Sequence, residues 1–274
     1  MAKQFKEQGG AATMDPSAVL RWLSSRVMSN VISPERQMAK RQKLEKRRQA
    51  SGASHVVEYF HQVADGYSHL AVQALMGFSK RYDIELRCHL VAGPSGDNAV
   101  EPELLIKLSQ YDASFIAPHY GLEAPGANAL PDREAIELAE SVIATTILTG
   151  QASADFAYLA EAVGSALWSG DKAALSKLAE QHGCVSAQQR EDCLALGNAR
   201  RAELKHYSGA MFYYGEEWYW GVDRLHYLER RLAELGADLD PQKPILIPRF
   251  EVKAGKHRDN GSLTLEVYPS LRSP

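Results

Sequence analysis

Cysteine is scarce in this chain and is not arranged for chemistry. The 274 residues hold three cysteines, Cys88, Cys184 and Cys193. The count is odd and no C-x-x-C occurs, which argues against a disulfide framework, a zinc site or a dithiol redox pair and fits a reducing compartment. Long apolar runs are also missing. None reaches about 18 residues, so no membrane-spanning helix is expected. The N-terminus is too polar for a signal peptide, and a cytoplasmic protein without membrane contact is expected. Charge of one sign is lacking too. With 31 Lys+Arg against 34 Asp+Glu the net charge is −3, so no global field points to nucleic acid or an acidic partner.

What is present is a globular composition, 45% hydrophobic and 24% charged, in a chain long enough for a sizeable core. After an N-terminal stretch read as unstructured, residues 16–30 place Val19, Leu20, Leu23 and Val27 at helical spacing. Ser33-Pro34-Glu35 then reads as a helix start, Ser33 as cap and Pro34 in the first turn. The helix that follows carries Arg36, Lys40, Arg41, Lys43, Lys46, Arg47 and Arg48. It is read as a solvated face rather than an arm for nucleic acid or anionic lipid, because no aromatic residues interleave the charges. Ser51-Gly52-Ala53-Ser54 reads as a linker.

A strand–helix–strand pattern comes next: a β-rich run at 55–60, an amphipathic helix at 67–82, and alternation over 84–91 that sets Ile84, Leu86, Cys88 and Leu90 against Glu85, Arg87 and His89. Five helical patterns follow, at about 101–110, 132–149, 153–169, 171–182 and 187–206. Gly150, Gly170 and Gly183 stand at helix stops, and Ser186 with Gln189 reads as a capping box. Residues 211–214 and 217–220 flank Gly215-Glu216 as a hairpin, and 222–235 form a last helix. The order βαβ, helices, ββα predicts an α/β protein with a four-stranded mixed sheet.

This order, together with VVEYFHQVADGYSHLAVQAL and GAMFYYGEEWYWGVDRLHYLERRL, resembles the DsbA family of thioredoxin-fold proteins. The likeness is strongest to 2-hydroxychromene-2-carboxylate isomerases and kappa-class glutathione transferases, whose first strand, active-site loop and first helix read like F-D-F-x-S-P-Y-S-Y-L-A and whose final hairpin and helix carry W-G-x-D-R. It covers about residues 55–236. It implies a thioredoxin-like fold with an inserted all-helical domain, plus an N-terminal helical extension. The expected division is 1–54 for that extension, 55–99 with 207–237 for the thioredoxin-like domain, and 100–206 for the insertion. Residues 238–274 would be a linker and the first strand of a second repeat.

The family's reactive group stands at the N-terminus of the first helix, where amides and dipole stabilise a thiolate. The matching stretch here is Asp65-Gly66-Tyr67-Ser68. Asp65 stands where the family has cysteine or serine; it is also a good N-cap, and its charge would raise the pKa of a neighbouring thiol. Thiol activation is therefore expected to be altered or lost, with Ser68 as the surviving hydroxyl. The family's cis-proline corresponds to Ala210, followed by Met211. A cis bond before a non-proline residue costs about 2.5–4 kcal/mol, so a trans bond and a different loop shape are expected. The resemblance makes Asp223 the acid that receives the γ-glutamyl amine of glutathione, its alternative role being another N-cap, and makes Asn98 a further candidate after the second strand.

Residues 57–66 and 265–274 align at a constant offset of 208: Glu58 with Glu266, Phe60 with Tyr268, Asp65-Gly66 with Ser273-Pro274. This reads as the start of a second copy of the domain in a tandem protein, with Ser273 as that copy's reactive serine.

Two functions stand against each other. One is a glutathione-dependent isomerase or transferase acting on a small electrophile, with glutathione as cofactor and no metal. The other is a non-catalytic thioredoxin-like domain that binds or scaffolds. Thiol–disulfide exchange ranks below both for want of a cysteine in the loop, and nucleic-acid binding ranks last. Partners considered are the electrophile or glutathione, a second DsbA-like domain and a second copy of the chain.

Overall fold

The computed structural model describes residues 18–31, 33–94, 101–126, 130–150 and 153–251. The expected unstructured N-terminus, Asn98, the repeat at 265–274 and Ser273 lie outside them. The chain divides into two compact units, one of residues 1–49 with 252–274 and one of residues 50–251. In the first, α1 (Ala18–Val31) is followed by α2 (Pro34–Ser51), which Ser33 caps by accepting from the Arg36 amide at 3.3 Å. No described residue of α2 is buried, as its charge pattern requires.

The second unit follows the expected order: β1 (Val56–His61), α3 (Gly66–Arg81), β2 (Glu85–Leu90), then the helices α4 (Pro102–Tyr120), α5 (Arg133–Leu148), α6 (Ser153–Ser169), α7 (Lys172–His182) and α8 (Ala187–Glu203), and finally β3 (Met211–Tyr214), β4 (Glu217–Trp220) and α9 (Gly221–Glu234). The sheet order is β2-β1-β3-β4. Strand β1 runs parallel to β2, Val57 opposite Leu86, and antiparallel to β3, Tyr59 opposite Phe212. This is the thioredoxin-like arrangement with a helical insertion between its two halves. The β3–β4 turn needs two left-handed residues, and Gly215 and Glu216 supply them at φ 54° and 61°.

The pleat divides the strand residues between two faces. Val57 and Tyr59 join the main core with Leu75, Phe78 and Phe212, where the Tyr59 and Phe212 rings lie 4.8 Å apart. Phe60 and Met211 face the other way, with Val91, Leu204 and Trp218. Helices α4 and α6 both pack on α3, which places the insertion beside the N-terminal end of that helix.

Two expectations require correction. Helix α4 does not stop near residue 110 but runs to Tyr120, through Pro118, and ends on Gly121 at φ 65°. Pro118 has no amide to give the carbonyl one turn back, and the helix ends two residues beyond it. Residues 238–251 are also not a free linker. Asp238 forms a bidentate pair with Arg81 at 2.6 and 3.0 Å, and the Glu229 carboxylate accepts from the Leu246 and Ile247 amides at 2.8 and 2.9 Å. The prolines there shape a segment clamped onto α3 and α9.

Candidate functional site

The start of α3 is built by hydrogen bonding around two side chains. Asp65 has extended backbone and caps the helix, its carboxylate accepting from the Tyr67 amide at 3.3 Å and the Ser68 amide at 2.9 Å. The Ser68 hydroxyl donates to Asp65 Oδ2 at 2.9 Å. Ser68 Oγ in turn accepts from the Gln62 amide at 3.2 Å and the Ala210 amide at 2.9 Å. Ser68 is fully buried and Asp65 nearly so. Burial pushes the Asp65 carboxyl above its ordinary value, and the donors from Ser68 and Tyr67 partly oppose that rise. The helix N-terminal amides that would hold a thiolate are thus already satisfied by a carboxylate.

Ala210 meets this cluster through its backbone. Its peptide is trans, and its φ of 53° is left-handed, an arrangement that costs a non-glycine residue about 1–2 kcal/mol. Two contacts hold it there: its amide donates to Ser68, and its carbonyl accepts from the Gly221 amide at 2.8 Å. Gly209 beside it has no room for a side chain, since a Cβ would stand 2.6 Å from the Gln62 Cβ.

A cavity of about 270 Å³ opens over this end of α3. Its floor is Gln62, Ala64 and Asp65; α4 supplies Leu105, Ile106, Leu108 and Ser109; Tyr67, Tyr207 and Trp220 close it with rings. The Tyr67 and Trp220 rings meet edge to face at 6.1 Å. The Tyr67 hydroxyl donates to Asp112 at 2.7 Å. Burial, that bond and the charges of Asp65 and Asp223 push the phenol well up, so it stays protonated.

The structure brings together only part of the expected site. Asp65, Ser68 and Ala210 form one cluster, but Ser68 is enclosed and has no exposed hydroxyl to offer. Met211 turns to the opposite face of the sheet and lies outside the cavity. Asp223 is not an N-cap: α9 starts at Gly221 and places it in the first turn, half exposed, 3.6 Å from Arg224 and not among the cavity-lining residues. Burial raises its carboxyl as well. No cysteine lines the cavity; Cys88 sits in β2, its thiol pushed up by burial. Among the described residues no group of His, Cys, Asp or Glu is placed to hold a metal. The reading of sequence alone missed Tyr67, Trp220, Tyr207 and the α4 leucines as lining residues. Trp220 stood in plain view in W-G-x-D-R, whereas nothing local marks Leu105 or Leu108.

No family model matches the sequence, and no curated protein matches it. Among solved structures, 2-hydroxychromene-2-carboxylate isomerase is similar at 20% identity and TM-score 0.47, over 66% of this chain and 96% of that one. A protein disulfide isomerase candidate from Nitrosomonas europaea is similar at 16% identity and TM-score 0.44, over the same shares, 66% and 96%.

Proposed function

We propose that this chain is a thioredoxin-fold protein of the glutathione-dependent isomerase and transferase type in which the thiolate position has been taken over by Asp65. Its cavity then binds a small ligand without thiol chemistry. The observation that carries this reading is the Asp65 carboxylate itself, which already accepts from the Tyr67 and Ser68 amides and from the Ser68 hydroxyl. A thiolate brought to the same amides would displace those bonds and face a like charge in a buried site, which disfavours both ions. The absence of a cysteine among the lining residues supports it further, because neither half of a disulfide exchange is available there.

The test is a glutathione titration with a conjugation assay on a generic electrophile such as 1-chloro-2,4-dinitrobenzene, run on the unmodified chain and on Asp65→Ser. Serine keeps the cap and removes the charge. The unmodified chain is expected to turn over at background, and Asp65→Ser to bind glutathione more tightly. Saturable turnover by the unmodified chain would overturn the reading, since Asp65 would then be serving the chemistry.

A further inference from the structure

The cavity over α3 has an unusual balance of charge and aromatic surface, and it limits the ligand. Among its described lining residues there is no lysine, arginine or histidine, and Asp65 is the one carboxylate. Three rings, Tyr67, Tyr207 and Trp220, line the same space, and Tyr207 and Trp220 leave about half their surface exposed (49% and 50%). A second rank of acids stands behind Tyr67: Asp112 on its hydroxyl and Asp223 acting on it through charge. Against these, the N-terminus of α3 contributes roughly half a positive charge, and Arg224 and, more weakly, His226 act on Asp223. The balance is negative. A carboxylate or phosphate ligand would enter without a counter-charge, at a desolvation cost nothing in the lining repays.

We infer that the cavity takes an arylalkyl amine, a small aromatic body bearing one ammonium group, held by the rings and by the charge of Asp65. This rests on the reading of the cavity as a ligand site. Rings around an ammonium attract it through their quadrupoles, and the attraction grows as water is excluded. Leu105, Ile106 and Leu108 provide the apolar wall for the body of the ligand. Size agrees: a dry cavity of about 150 Å³ holds benzene, so 270 Å³ holds one ring with a short aminoalkyl chain. Burial resists ionisation of Asp65, and an ammonium in the cavity opposes that resistance, so binding and ionisation support each other.

Three matched probes test this by calorimetry at pH 7 on the full chain: phenethylamine, 2-phenylethanol and 3-phenylpropionate. The amine is expected to bind at least tenfold tighter than the alcohol, and the carboxylate more weakly still. Asp65→Asn, which retains a capping side chain, should reduce the preference for amine over alcohol to threefold or less. Trp220→Leu should weaken the amine more than the alcohol. Equal or tighter binding of the alcohol or the carboxylate overturns the amine assignment while leaving the cavity a ligand site. An unchanged preference in Asp65→Asn overturns the role of that carboxylate. If none of the three binds, the cavity is not a ligand site and both readings fail.

Discussion

Ser68 Oγ lies 2.9 Å from the amide of Ala210, a residue 142 positions away, and uses its proton on Asp65 in the same geometry. One hydroxyl therefore joins the cap of α3, the Gln62 turn and the left-handed Ala210 loop. Replacing Ser68 with alanine leaves the Ala210 and Gln62 amides without that acceptor, at about 1–3 kcal/mol for a buried unsatisfied group. Ser68→Ala is expected to lose about 2–3 kcal/mol in urea unfolding. Asp65→Ala, which removes the cap and also the acceptor of the buried Ser68 proton, should lose about 1–3 kcal/mol.

The proline that the family resemblance would place at residue 210 does not fit this loop. Proline fixes φ near −65°, whereas Ala210 stands at 53°, and proline has no amide to give Ser68. Ala210→Pro is expected to cost about 3 kcal/mol or more, read as a fall in the thermal midpoint. A neutral or stabilising result would show that the loop can take a second shape.

Close approach governs another glycine. Gly197 on α8 lies against β2, where a Cβ would collide with the Leu90 carbonyl and come within 3.2 Å of Val91. Backbone cannot yield as a flexible side chain can. Gly197→Ala is expected to destabilise by about 1–3 kcal/mol although alanine is the better helix former. Denaturant unfolding beside the control Gly52→Ala checks the effect of space, since Gly52 has nothing within 4 Å of its added Cβ and only its φ of 64° to pay for.

Stability should fall with acid in two stages. Burial, with a contribution from His69, lowers the His61 pKa from 6.5 to about 3. The unfolded chain therefore takes up this proton first, and stability declines as pH drops below about 6.5 and continues to decline toward 3. For Glu58, burial acts to raise the pKa, but the bonds and charges of Arg200 and His89 outweigh it and bring the value from 4.5 to about 2. Its contribution is complete above 4.5 and is lost as pH falls toward 2. Urea midpoints from pH 8 to 3 should show the earlier decline weakened in His61→Phe. Arg200→Met removes the 2.6 and 2.9 Å bonds to Glu58, and should lose about 1.5–3 kcal/mol at pH 7.

Local pattern was enough to locate the elements of this protein. The capping box at Ser186, the cap at Asp65, the Gly215-Glu216 turn and the helix stops at Gly150, Gly170 and Gly183 are all decided by residues within a turn of one another, and all were legible. The shared sheet of β1 and β3 followed from the order of elements. Of the two roles open to Asp223, the cap is not taken, because α9 begins at Gly221 and carries Asp223 in its first turn. The clamp on residues 238–251 depends on Arg81 and Glu229, far away in the chain, so its prolines resembled a linker. The cavity was least legible of all. Its wall comes from α4, its floor from the turn after β1 and its rings from three separate segments. Sequence fixed the residue types at α3's N-terminus; only tertiary packing decided that Ser68 would be enclosed and Asp65 would line the cavity, because the hydrogen bonds that decide it join segments 142 residues apart.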